Sequence, residues 1–348
     1  MKTSSVFHAF PGAIVAVALA LTVMAFGEGA PPASSPMDPS QMDADSIAYL
    51  KSRPPAPAVR PPPEVLKEDY RRRRLTTQPD LPQVDRVKEY AVPGPGGAIP
   101  VRVYRGAGTA DKGALPVLVF FHGGGWMLGD LDSHDWLCRS IANAAPCAVV
   151  NVDYRLSPEH VFPAAFDDAV TAAHWTAANA AMLRIDPTRI AVGGDSAGGN
   201  LAAAVALALR DEAKIPLRAQ ILIYPAVDLS MSGPYYGRFT KDVILTDDAM
   251  RAFIASYVPK VEDRKDWRAS PLLAPSLKGL PPALVLMAGF DPLCAEDEAY
   301  AARLQKEGVA TTVKRYPGQM HGFLSSAKLL PKAFQAVEEI AAALKANW

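Results

Sequence analysis

The sequence predicts an α/β protein, a mostly parallel, doubly wound sheet flanked by helices, with a helical cap outside the sheet. Three observations carry that expectation. Short uninterrupted apolar runs, such as Leu115–Phe121 and Ala283–Ala288, read as strands buried on both faces. These runs alternate with helix-patterned stretches, the rhythm of βαβ units. One run, Ile190 to Val192, leads through Gly194-Asp195-Ser196-Ala197-Gly198 into the Ala/Leu-rich helix Leu201–Arg210, a strand–turn–helix.

Composition sets the outer bounds. A chain of 348 residues, 49% of them apolar, is long enough for one large domain with an accessory part, or for two domains. Thirty-six basic residues balance 36 acidic ones, so no overall field gathers nucleic acid or an anionic membrane. Cys138, Cys147 and Cys294 are odd in number and lack metal-type spacing, which predicts isolated thiols. No metal or organic cofactor is expected.

The elements follow in chain order. Residues 1–30 read as an export signal, with Lys2 at the positive end, the apolar run Ala13–Phe26, and small residues after it. That reading places the protein outside the cytoplasm, secreted or periplasmic; an uncleaved signal would anchor it to the membrane instead. The run is short for a span of ~20 residues, so no stable membrane insertion is expected once the signal is removed. Residues 31–85 form a Pro-rich lead with two helices, Met42–Ser52 and Val65–Arg74, the second ending in Arg71-Arg72-Arg73-Arg74. Because the chain is neutral and the run isolated, those arginines read as a solvated helix end.

A core begins at 86 and runs to 224, resuming from 276 to 348. Val87–Val92 and Ile99–Tyr104 flank Pro-Gly-Pro-Gly-Gly and form a hairpin. Further strands are expected at Leu115–Phe121, Ala145–Tyr154, Ile190–Val192, Gln220–Tyr224, Ala283–Ala288 and Val309–Arg315, with helices at Asp168–Asn179, Leu201–Arg210 and Pro331–Ala346. Residues 225–275 break the rhythm with polar turns and a helix at Asp247–Tyr257, an insertion expected to pack with the N-terminal helices as a lid.

The glycine-flanked serine is the chemical centre. A strand turning sharply into a helix leaves no room for side chains beside the nucleophile and strains the nucleophile's own dihedrals, so glycine belongs on both sides. Such a serine needs a base, an orienting acid and donors for an oxyanion. In this architecture the acid and then the histidine follow the serine in the chain. Of six histidines, only His321 follows Ser196. Asp291, directly after the Ala283–Ala288 strand, is the favoured acid, with Asp228 as its rival; Glu296 and Asp297 read as cap or surface charges. His122-Gly123-Gly124-Gly125 follows a strand and can turn backbone N–H groups toward the reaction centre, with His122 orienting the loop rather than carrying protons.

Taken together, these stretches resemble the hormone-sensitive-lipase-like family of α/β-hydrolases, the bacterial family IV esterases. The resemblance runs from about Met37 onward. It rests on His122-Gly-Gly-Gly-Trp-Met-Leu-Gly-Asp, Asp153-Tyr-Arg-Leu-Ser-Pro-Glu-His, Gly194-Asp-Ser-Ala-Gly-Gly, Asp291-Pro-Leu and His321-Gly-Phe. It implies an α/β-hydrolase fold with a helical cap, the triad Ser196, Asp291 and His321, and an oxyanion hole from the amides of Gly124, Gly125 and Ala197. Arg155, Glu159 and His160 are implied to support the fold. The implied activity is hydrolysis of short- to medium-chain esters; an amidase, a sugar or xenobiotic deacetylase, a lipase and a non-catalytic receptor are the alternatives. A receptor on this fold has lost the histidine that this chain keeps. Trp126, Asp195, Tyr235 and Phe239 are the expected substrate contacts, with Tyr236 beside them. The expected partner is a small-molecule ester, with a homodimer as the assembly considered.

Overall fold

The structure is a computed structural model and describes residues 1, 39–54, 61–233 and 239–348. Residues 36–348 make one unit of the chain, which holds the whole of the sheet and its helices. Residues 2–30 of the expected export signal, 31–38 and 55–60 of the Pro-rich lead, Tyr235 and Tyr236 lie outside the described residues.

Eight strands form one sheet in the order β1-β2-β4-β3-β5-β6-β7-β8. The hairpin of β1 (Arg86–Gly94) and β2 (Gly97–Arg105) pairs antiparallel, with Gly94 opposite Gly97 across the tight turn. β2 meets β4 (Ala148–Val152) antiparallel as well. From β4 the pairing is parallel through β3 (Leu115–Phe121), β5 (Ile185–Asp195), β6 (Leu217–Ile223), β7 (Ala283–Phe290) and β8 (Thr311–Met320).

The period of two divides each central strand between two cores. Val117, Val119 and Phe121 of β3 join one core, under α4 (Ala164–Ala178), α6 (Ala197–Glu212) and α8 (Cys294–Lys306). Leu118 and Phe120 join the other, under α3 (Asp135–Ala144) and α9 (Lys332–Asn347). Helices on both faces are what a strand buried on both faces requires. A four-residue helix, α5 (Ala180–Leu183), leads into β5.

Beyond α5 and the earlier start of β5 at Ile185, two elements differ from the expectation. No helix was expected between the strands at Leu115 and Ala145, yet α3 stands there, burying Trp136, Leu137 and Ile141 at helical spacing amid polar residues. The last strand was expected to end at Arg315, but β8 continues through Pro317 and Gly318 to Met320. β8 is an edge strand, where a proline costs no ladder bond on its open side. Its extension matters because it carries the chain up to His321.

Three helices lie outside the sheet: α1 (Ala44–Ser52), α2 (Pro63–Thr77) and α7 (Asp247–Tyr257). Tyr70 of α2 packs on Met127 and Leu128 of the glycine-rich loop, with Leu66 and Phe253 against them. Ion pairs bind α2 to the core: Lys67 to Glu159 at 2.8 Å, and Arg71 to Asp130 at 3.2 Å. The arginine run is therefore not simply solvated. Arg71 is paired and Arg72 reaches Asp69, whereas Arg74 turns inward, four residues from buried Tyr70 and on the same helix face.

Candidate active site

The site is built at the carboxyl ends of β3, β5, β7 and β8, where an open α/β sheet places its ligands. β5 ends at Asp195 and α6 begins at Ala197, so Ser196 alone makes the turn. Its φ of 58° and ψ of −119° are a conformation L-residues rarely adopt. The surroundings hold it there: Ser196 donates its N–H to the Ile223 carbonyl at 2.8 Å, and the crowding of Gly198 against the Phe121 carbonyl admits no side chain.

β7 delivers Asp291 and β8 delivers His321. His321 Nε2 lies 2.8 Å from Ser196 Oγ, and its Nδ1 lies 2.6 Å from Asp291 Oδ2. The other Asp291 oxygen accepts the Leu293 N–H at 2.9 Å, which fixes the carboxylate plane. Asp291 is wholly buried and His321 nearly so, and the Tyr224 ring supports the imidazole at 4.8 Å between centroids. Asp228, the rival acid, instead accepts from Ser230 and Ser232 in its own turn.

The glycine-rich loop follows β3. Gly124 at φ 130° and Gly125 at φ 62° adopt backbone that only glycine takes without strain. Among the described residues no acceptor meets the N–H of Gly124 or Gly125, while the Gly124 carbonyl is turned back to accept from Leu128 at 2.9 Å. The Ala197 N–H opens α6 and has no partner within its own helix. Beneath the loop, His122 stacks on Tyr154 at 4.4 Å, and the Tyr154 hydroxyl donates to the His122 carbonyl at 2.7 Å. Burial, with His134 nearby, pushes the His122 imidazole down to about 4, so it is neutral at pH 7 and unsuited to carry a proton there.

Several expected residues stand elsewhere than the sequence suggested. Asp195 is not a substrate contact: 1% exposed, it accepts the Gly123 N–H at 2.9 Å and pairs with His134 at 3.2 Å, tying the glycine loop to the elbow. Burial would raise its pKa, but His134, Arg74 and the Gly123 amide outweigh that and hold it at about 2. Trp126 is likewise fully buried, stacked on Tyr257 at 4.8 Å. Phe239 is buried, its N–H donated to Asp247 at the start of α7. Tyr235 lies outside the described residues.

Glu296 and Asp297 are interior rather than surface carboxyls, and burial pushes the Asp297 carboxyl well above the usual carboxylate range. Glu296 accepts the Val227 N–H at 2.7 Å and anchors the start of the insertion. Arg155 pairs with buried Asp168 at 2.8 Å, a supporting role. Sequence reasoning missed Phe253, which lies where a Cβ on Gly125 would be, 2.5 Å from its ring atoms. The helical period of α7 signals that one of its faces is covered, but not by what. Among the described residues no three metal-ligating side chains converge.

Residues 118–325 match the model of the family described by the alpha/beta hydrolase fold. The carboxylic ester hydrolase LipN of Mycobacterium tuberculosis is 43% identical over 268 residues, 75% of this chain and 70% of LipN. The carboxylesterase NlhH of the same organism is 42% identical over 279 residues, 79% of this chain and 87% of its own. A solved ester hydrolase from the metagenome of Lake Arreo superposes with a TM-score of 0.83 at 39% identity, covering 88% of this chain and 98% of that one. The chain belongs to the α/β-hydrolase family, and the resemblance to its hormone-sensitive-lipase-like members fits these likenesses.

Proposed function

We infer that this protein is a carboxylesterase acting on short- to medium-chain acyl esters through an acyl-enzyme. The observation that carries the reading is the relay in which one imidazole joins Ser196 Oγ at 2.8 Å and Asp291 at 2.6 Å. Similarity to proteins named carboxylic ester hydrolase and carboxylesterase supports the bond type.

In this reading His321 Nε2 takes the Ser196 proton as Oγ attacks the ester carbonyl. Asp291 holds Nδ1–H, fixes the tautomer and stabilises the imidazolium. The amides of Gly124, Gly125 and Ala197 receive the oxyanion of the tetrahedral intermediate. His321 gives the proton to the departing alcohol, and water, activated by the same imidazole, then releases the acid and restores Ser196. α1, α2 and the 225–275 insertion serve as the cap over the acyl group. Residues 1–30 serve as the export signal.

A series of p-nitrophenyl esters from acetate to palmitate, given to the wild type and Ser196→Ala, tests the assignment. Turnover should peak on the shorter acyl chains and fall about 10⁴-fold or more in the variant. Activity that survives the substitution would remove Ser196 from its role, and a folded enzyme inert on every ester would shift the reading to amides or acetylated sugars.

A further inference from the structure

Arg74 is the feature of this site that hydrolysis of a neutral ester leaves unused. It comes from α2, yet its guanidinium reaches the loop of the catalytic histidine. Nη1 lies 3.5 Å from the carbonyl of Gly322, the residue after His321, and 3.3 Å from Ser326 Oγ. Both bonds are long for a guanidinium. The plane stands over the Tyr70 ring, 4.7 Å from its centroid.

The donors here outnumber the acceptors. Among the described residues, buried Arg74 Nε and the Tyr70 hydroxyl meet no partner in good hydrogen-bond geometry, although Tyr70 is only 6% exposed and the Arg74 guanidinium lies close enough to its hydroxyl to oppose the upward shift that burial gives it. None of Arg53, Arg73 and Arg74 pairs with a carboxylate among the described residues, in contrast to Arg71 and Arg72 beside them. Arg73 also lies 5.9 Å from the Tyr70 centroid. Burial, then the charges of Arg73 and Arg74, depress the Arg53 guanidinium. The carboxylate whose charge acts on Arg74 is Asp195, already engaged by His134 and the Gly123 N–H. A half-buried cation with an unmet N–H beside an unmet hydroxyl costs free energy unless an acceptor-rich group arrives to take both.

We propose that Arg74 and the Tyr70 hydroxyl form a carboxylate subsite beside the catalytic histidine, and that the enzyme's preferred substrates are esters carrying a free carboxylate. The proposal rests on the esterase reading and narrows its substrate class. The planar guanidinium fork matches a carboxylate, and the Tyr70 hydroxyl supplies a neutral donor. The carboxylate can belong to the acyl part, as in a half-ester of a dicarboxylic acid, or to the alcohol part.

Matched substrates separate those sources. For the acyl side, mono-4-nitrophenyl glutarate is compared with 4-nitrophenyl hexanoate. For the alcohol side, 3-(4-acetoxyphenyl)propanoate is compared with its primary amide. Wild-type kcat/KM should favour the charged member of one pair by roughly tenfold or more, and Arg74→Gln should collapse that ratio by roughly ten- to a hundredfold. Arg72→Gln, on the exposed side of α2, should leave the ratio as it is. Free glutarate should inhibit hydrolysis of the neutral ester competitively in the wild type and much more weakly in Arg74→Gln.

A wild type that prefers the neutral member of both pairs overturns the proposal, as does an Arg74→Gln variant that lowers both members equally. The latter result would leave Arg74 as a brace for the His321 loop. Absence of hydrolysis of all four esters would instead overturn the esterase reading itself.

Discussion

The floor and the roof of this site are made in opposite ways. On the floor, Ser196, Asp291 and His321 each stand just past the end of a parallel strand, so hydrogen-bonded register sets their spacing. The roof comes from α2 and α7, which no strand positions and which meet over the glycine loop through Tyr70, Leu66 and Phe253. Backbone ladders define the floor to within the tolerance of hydrogen bonds, whereas side-chain packing and ion pairs hold the roof. The contrast implies a division of labour: floor changes should act on kcat, and roof changes should act on KM and on substrate choice.

The largest effect that sharpens this contrast beyond the serine itself is expected at Gly124. An alanine there would take a φ of 130° and drive its Cβ into the Leu128 carbonyl, turning the peptide away from the oxyanion. Gly124→Ala should lower kcat by about 10²- to 10³-fold, the usual cost of one oxyanion donor, with KM little changed and the thermal transition still cooperative. A decrease of less than tenfold, measured on p-nitrophenyl butyrate, would show that the Gly124 amide does not serve the transition state.

The same contrast governs what the sequence made legible. Ser196 was readable because an elbow needs glycines at fixed offsets, and His321 because chain order left a single candidate. Asp291 was readable from its place after an apolar run. Ser196 and Asp291 follow from local rules that link a residue to the end of its strand, and His321 from the order of the chain. The roof and the underside of the loop obey no such rule. Asp195 looked like a substrate contact because it adjoins the nucleophile, yet the alternation of β5 points it down toward Gly123 and His134. Trp126 was hidden in the same way, since its stacking partner, Tyr257, comes from a helix far along the chain. The arginine run misled most, because only the turn of α2 and what lies against it separate Arg74 from its paired neighbours.

Between floor and roof in expected size lies His122, the brace beneath the loop. Its folded pKa, about 4, is below its ordinary value of 6.5, so the unfolded chain binds a proton that the folded chain refuses. The stability this brings is fully present above pH 6.5 and is lost as pH falls through the window from 6.5 to 4. The loss amounts to about 3 kcal/mol across that window. Asp153, 3.9 Å from His122 Nε2 and raised by burial to about 6, works in the opposite direction and offsets part of it. Denaturant unfolding of the wild type and His122→Gln at pH 7, 5.5 and 4 isolates the histidine. The wild type's stability advantage should shrink toward pH 4, and a difference that stays constant with pH would mean that His122 does not titrate on unfolding.

The smallest expected effect tests the roof directly. Phe253 extends from α7 over Gly125 and packs with Tyr70, Met127 and Leu128, so its ring is apolar surface presented to the loop rather than a group that meets developing charge. Phe253→Ala removes that surface without touching any hydrogen bond of the relay. KM for p-nitrophenyl butyrate should rise roughly fivefold, about 1 kcal/mol of apolar contact, while kcat stays within about twofold. Should kcat instead fall as far as in Gly124→Ala, the ring must be holding the oxyanion loop in its working shape. The roof would then belong to the catalytic frame, and the division between a floor that makes the rate and a roof that selects the substrate would fail at the one place where the two touch.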